Sequence, residues 1–193
     1  MKTSTTIIIF FVLTVINGQK KLDSLQNVLA QDTLSEIERV DVLNELGYEY
    51  WIVDTEKSVN FGVQAEKLAS ELGYVPGMAK ARRIIGVSYW AQGNPKSALE
   101  NLVESKNMFE EIGDDVGLAN CFLNIGMVYA DIDEFPKAKE LYEKAIEKFT
   151  VLDLKDRIAT TYTKMADIFL AQNNLSDAKS FLNNALAIHS ANN

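Results

Sequence analysis

Apolar residues along this chain return every three or four positions, and a small residue sits in the middle of each run. "NELGYEYW" holds Gly47, "RIIGVSYW" Gly86, "LNIGMVYA" Gly126 and "TKMADIFL" Ala166. The separations are 39, 40 and 40 residues. Each small residue follows Leu46, Ile85, Ile125 or Met165 and precedes, by three, Tyr50, Tyr89, Tyr129 or Phe169. Three or four residues make one helical turn, so each group shares a face. A second set recurs downstream: Ser58, Ala98, Ala138 and Ala178, then Ala65, Ser105, Ala145 and Ala185 seven residues on. Two helices per unit follow, A with the small–aromatic pattern and B with two small positions. A mid-helix glycine costs about 1 kcal/mol relative to alanine. Burying a nearby Tyr or Leu is worth about 1.5–3 kcal/mol. Close packing of A on B therefore outweighs the lost propensity.

The helix ends agree. Asp54, Asn94 and Asn174 precede B helices as N-caps, with Glu134 a poorer cap in the third unit. Pro95 and Pro136 fall in first turns. Gly73 and Gly113 are placed as left-handed stops, with Asp153 a weaker one. Leu22, Leu25 and Leu29 predict a short helix over residues 20–30 that covers the first unit, as solenoid ends require. The last helix carries Phe181, Leu182, Leu186 and Ile188 with nothing following to cover them.

Small residue, aromatic three on, alanine twelve on and alanine nineteen on resembles the tetratricopeptide repeat, over about residues 36–190. The unit is 40 residues rather than 34, as in the kinesin light chain and bacterial peptide-sensing regulators. The family's early tryptophan is replaced by Leu43, Arg82, Phe122 and Tyr162, and its late proline is missing. The resemblance implies an all-α fold: a right-handed superhelical solenoid of four antiparallel helix pairs behind a short capping helix. The expected segments are a signal peptide (1–18), a capping helix and linker (19–33) and a repeat domain (34–193). Its units fall at about 36–75, 76–115, 116–155 and 156–193.

Composition changes this picture little. A net charge of −8 over 193 residues argues against non-specific binding to nucleic acid or anionic membrane. A single cysteine, Cys121, excludes an internal disulfide and reads as a core residue. The start, "MKTSTTIIIFFVLTVINGQ", is different: Ile7 to Ile16 is apolar but for Thr14. Ten residues are short for a bilayer, where about 20 are needed. They fit a secretory signal, cut after Gly18, or less simply an uncleaved anchor. The expected location is secreted, periplasmic or at the cell surface.

Catalytic, metal and cofactor residues are expected to be none. His189 aligns with Phe109 and Phe149 as a helix-face packing position. No Cys/His cluster has metal spacing, and no phosphate loop or nucleophile elbow is present. Glu104, Glu110, Glu111, Asp114 and Asp115 read as a solvated face rather than a calcium site. Asp131, Asp133 and Glu134 fall in a loop with no partner base.

A helices line the concave side of such solenoids. The face a third of a turn from the core takes Asp41, Asn44, Tyr48 and Trp51 in the first unit. The second contributes Lys80, Arg83, Val87 and Trp90; the third Asn120, Leu123 and Met127, with Asn124 at the edge; the fourth Thr163 and Asp167. Trp, Tyr and Arg dominate binding hot spots. Tyr48, Trp51 and Trp90 are expected as apolar anchors, Lys80 and Arg83 as cationic partners for a carboxylate, Asn44 and Asn124 as backbone contacts. The alternative is that the tryptophans pack against neighbouring A helices. The lysine–asparagine clamp of chaperone-binding members is not reproduced, its asparagine place holding Tyr48, Val87, Met127 and Asp167. The resemblance implies a protein- or peptide-binding module, similar to the extracytoplasmic sensor region of bacterial signalling receptors. The other reading is a free-standing scaffold, homodimeric or extended by further repeats through its C-terminal helix. Membrane contact is expected only through the signal or a downstream segment.

Overall fold

The computed structural model describes residues 19–191, so the signal assigned to residues 1–18 lies outside the described residues. Among those described there is no strand. The helices are α1 (residues 19–29), α2 (Glu36–Tyr50), α3 (Thr55–Leu72), α4 (Val75–Ala91) and α5 (Pro95–Glu111). They continue with α6 (Asp115–Asp131), α7 (Phe135–Val151), α8 (Lys155–Ala171) and α9 (Leu175–Ala191). No helix among the described residues is long and apolar enough to cross a membrane. The fold is all-α, and the chain divides into two compact units larger than the single repeats: the first compact unit ends at Gln92, inside the second repeat, and the second begins at Gly93.

Side chains and glycines define the helix ends. Ser35 and Glu38 form a reciprocal capping box at the start of α2. Asp54 accepts from Lys57 N at 3.0 Å and Asn94 from Ser97 N at 3.1 Å. Asn174 accepts from Asp177 N at 3.2 Å. Glu134 makes no such bond, so α7 begins without a side-chain cap. Gly73 and Gly113 take φ of 64° and 70°, the left-handed region where glycine carries no Cβ penalty. Asp153 holds the same stop at φ 52°, at a steric cost glycine would avoid.

In the first unit, α2 packs on both α3 and α4, and α1 lies along α2. Val40, Leu43, Ala65, Ala69 and Ala81 form one apolar cluster. Leu22, Leu46 and Tyr50 form another, which ties α1 to α2. Gly47 faces α3 and α4: a Cβ there would lie 3.3 Å from Ser58 O and 3.0 Å from Ile84 Cγ2. At Gly77 a Cβ would lie 2.7 Å from Val40, so α4 meets α2 without room for a methyl group. Polar links complete the unit. Ser58 Oγ lies 2.6 Å from Gly47 O and 2.6 Å from Ser88 Oγ, which is 2.8 Å from Ile84 O. The two hydroxyls carry two protons for these three short contacts.

In the second unit α6 and α7 form one helical hairpin and α8 and α9 another. Its core joins Ala119 and Leu123 of α6, Ala138, Tyr142, Ala145 and Phe149 of α7, and Ile158, Met165 and Ile168 of α8. Gly126 lies where a Cβ would come 2.6 Å from the Tyr142 ring and 3.4 Å from Ala138 O, which is why no side chain is found there. Cys121 is buried beside Ser105, with Sγ and Oγ 3.3 Å apart. One expectation needs correcting. His189 is exposed, whereas Phe109 and Phe149 at its aligned positions are buried. Phe149 is enclosed by the core it shares with α8, and no helix beyond α9 among the described residues encloses His189 in the same way.

Candidate functional site

The first unit brings the expected face together as three cross-helix pairs between α2 and α4. At one end Lys80 Nζ lies 3.6 Å from Asp41 Oδ1. Tyr74 extends this end, its hydroxyl donating to Asp41 at 3.3 Å. Burial first, then the Asp41 charge, raises the Tyr74 phenol above its ordinary value. In the middle the Arg83 guanidinium lies 6.0 Å from the centre of the exposed Tyr48 ring, within cation–π range. At the other end Trp51 and Trp90 meet with centroids 6.2 Å apart and planes tilted by 32°. Both indoles are half-buried. The tryptophans thus pack between neighbouring A helices, the second of the two sequence alternatives, while each indole keeps part of its surface exposed.

The helical register sets this order. Asp41 and Tyr48 of α2 and its C-cap Trp51 lie on one stripe, and Lys80, Arg83, Val87 and Trp90 on one stripe of α4. The chemistry runs from ionic to aromatic along the stripe. The Lys80–Asp41 pair is roughly half exposed on both sides. Such pairs contribute about 0–1 kcal/mol, so an incoming carboxylate can displace Asp41 at little cost.

Other expected residues sit differently. Asn44 is only 4 % exposed, and its Nδ2 donates to Gly77 O at 3.1 Å. It ties α2 to α4 and is not open to a ligand backbone; its Oδ1 is buried without a hydrogen-bond partner. Leu123 belongs to the core of the second unit. A stripe assigned by spacing fixes direction around a helix but not depth, which is why these two fall inside.

In that second unit Asn120 donates to Val116 O at 2.9 Å, and Thr163 to Ala159 O at 3.1 Å, each within its own helix. Asp167 is exposed and 3.2 Å from Lys164 Nζ. Met127 packs against the core from its edge, and Asn124 is half-buried with a buried Nδ2 that lacks a partner. The aromatic and cationic residues of the expected site therefore concentrate in the first unit.

Three acids of the acidic run have structural partners. Asp114 caps α6 through Gly117 N at 2.8 Å, Asp115 pairs with Lys148 at 2.6 Å and Glu110 with Lys106 at 3.4 Å. Among the described residues no group of three or more His, Cys, Asp or Glu is placed to hold a metal ion. Spacing missed Tyr74, which lies outside the repeated stripe; its signal was the aromatic side chain just before Val75 and Pro76 at the α4 start.

The tetratricopeptide repeat model matches residues 77–150 and 118–191, together more than half of the chain. The chain belongs to the tetratricopeptide repeat family. A tetratricopeptide repeat chain is a protein-interaction scaffold. A curated relative is the protein kinesin light chain-related 1 of Arabidopsis thaliana, 26% identical over 113 residues, covering 58% of this chain and 19% of that protein. The chain thus spans about a fifth of the length of that relative. Among solved structures, a Rap protein complexed with competence and sporulation factor superposes with a TM-score of 0.83 at 14% identity. The match covers 94% of this chain and 51% of that one. The Rap conjugation gene regulator of plasmid pLS20, in complex with the Phr* peptide, superposes at 0.79 and 13% identity, again over 94% and 51%. At these identities the likeness is one of fold: this tetratricopeptide repeat protein shares the helix-pair architecture of the Rap solenoids.

Proposed function

We propose that this tetratricopeptide repeat protein binds a protein or peptide ligand on the α2–α4 face of its first unit and works without catalysis. The observation that carries the reading is the continuous series Asp41–Lys80, Tyr48–Arg83, Trp51–Trp90. Aromatic and arginine side chains held partly exposed by their neighbours are preordered, so a ligand loses little entropy in meeting them. The ligand is an extended peptide or a helix that lays apolar side chains on Tyr48, Trp51 and Trp90 and a carboxylate on Lys80 and Arg83. That two Rap proteins of this fold were solved with competence and sporulation factor and with the Phr* peptide is consistent with the assignment. The apolar run Ile7–Ile16 supports export, with residues 1–18 as the signal and the repeats acting outside the cytoplasm. In that setting the chain is the sensor or interaction part of a bacterial signalling receptor.

The test is affinity capture with the wild-type chain and with the W51A/R83A/W90A variant, each checked by circular dichroism and melting. Loss of the captured partner with helicity retained is the expected result. Equal capture by the well-folded variant would refute the face.

One observation favours a second reading, a scaffold that self-associates through α9. Leu186 is 65 % exposed, and Leu182 is exposed where Leu102 and Tyr142 at its aligned positions are buried. Sedimentation at several concentrations separates the two, because only the scaffold shows a mass that rises with concentration and returns to monomer in L186K.

A further inference from the structure

The turn after α2 has a chemistry unlike its counterparts. The A-to-B turns at Gln92–Gly93–Asn94 and Gln172–Asn173–Asn174 are polar, and that at Ile132–Asp133–Glu134 carries two acids. The corresponding turn after α2, Trp51–Ile52–Val53–Asp54, is one residue longer and sets three apolar residues before its polar cap. It is nevertheless an ordered turn: Val53 N and Asp54 N both donate to Tyr50 O, at 3.0 and 2.8 Å. Ile52 is 72% exposed and Val53 73%. Two adjacent β-branched apolar side chains held out at a tip beside a half-buried indole form a small contiguous apolar patch, the kind of surface that marks a contact.

The position of α1 indicates what covers them. Lys21 Nζ lies 2.7 Å from Glu49 Oε1, Gln26 Nε2 donates to Tyr50 OH at 3.0 Å, and Arg39 Nη1 donates to Leu29 O at 3.1 Å. The first turn of α1 therefore lies against the last turn of α2, where the apolar tip begins. The run Ile7–Ile16 ends three residues before α1 starts at residue 19. Three residues span at most about 10 Å. Whatever that run enters must then lie close to the end of the unit that bears Ile52 and Val53.

We infer that Ile52 and Val53 seat in the interfacial layer of the bilayer entered by residues 7–16, with Trp51 at its boundary. The inference rests on the membrane-entering reading of that run, in the form of the chain that retains it. Tryptophan with aliphatic neighbours suits this layer, because the indole has an apolar body and one N–H for the wet side. The contact is apolar rather than electrostatic, since a chain of net charge −8 is not drawn to anionic lipid. Its consequence is orientation: the α1–α2 end of the first unit faces the membrane.

Two tryptophans in the whole chain make the test direct. The full chain carrying W90F, with Trp51 as sole tryptophan, is reconstituted into phosphatidylcholine vesicles with and without bromine high on the acyl chains. Flotation reads attachment through residues 7–16; quenching of Trp51 reads the turn. The expected result is flotation with at least about two-fold quenching, lost in the I52D/V53D variant, which still floats. Both substituted side chains are exposed, so the fold does not depend on them. Flotation without quenching, as when a protein rather than lipid covers the turn, overturns the inference but leaves the membrane reading of residues 7–16 intact. Equal quenching in I52D/V53D also overturns it. Failure to float overturns the reading of residues 7–16 and the inference with it.

Discussion

Gly126 and Tyr142 show how much a single position carries. A methyl group at 126 would press on a ring that is 1% exposed and has the core behind it. Alanine gains about 1 kcal/mol of helix propensity but overpacks the interface by about 1–3 kcal/mol. G126A should therefore lower stability by up to about 2 kcal/mol in urea unfolding, against the sign that propensity alone predicts. Burial, reinforced by the Asp131 and Asp167 charges, pushes the Tyr142 phenol well above its ordinary value of 10.0. The unfolded chain then loses this proton at a lower pH than the folded one. The contribution is intact below pH 10 and is lost as pH rises above it. Between pH 9 and 11 the wild type should lose more stability than Y142F, measured by urea midpoints. The repeat in the sequence made Gly126 legible, because a costly residue returning at a fixed interval needs a packing cause. Asn44 was not legible: its stripe was right, but only the structure shows it 4 % exposed and bonded to Gly77 O.

Among helices, α7 is the informative case. It shares length and pattern with α5, yet Asn94 caps α5 through Ser97 N while Glu134 leaves α7 with no side-chain cap. Glu134 has only an exposed pairing with Lys137 at 3.4 Å. E134N exchanges that weak pair for a cap worth about 0.5–1 kcal/mol. A rise in melting temperature of about 2 °C is expected by circular dichroism, and no rise would mean the start of α7 frays without cost to the core. Helix identity and ends were readable because small residues, caps and glycine stops agree on the same boundaries. What covers a helix was less readable. His189 occupies the place of Phe149 and is exposed, because burial there depends on a following helix rather than on α9 itself.

At the scale of the molecule, charge and site pull in opposite directions. The net charge of −8 repels an acidic peptide at long range, while Lys80 and Arg83 attract its carboxylate at contact. Raising ionic strength from about 0.01 to about 0.15 M shortens the screening length from about 30 to about 8 Å. The long-range term is cut much more than the contact term. Binding of a captured acidic peptide should then strengthen over this range, by titration calorimetry; steady weakening would mean that the local cations dominate. The family was legible from the repeat alone, whereas the pairing of Asp41 with Lys80, Tyr48 with Arg83 and Trp51 with Trp90 needed the contacts between α2 and α4. Those contacts depend in turn on the hydrogen-bonded hydroxyls of Ser58 and Ser88, which join α3 to both helices, and on the link from Asn44 to Gly77. A one-residue slide of α4 along its axis, about 1.5 Å, would break these inner links and misalign all three outer pairs at once. Recognition is thus keyed to the interior like a lock to its wards: the surface stays competent as a block or fails as a block, with no halfway register in which only the tryptophans still meet.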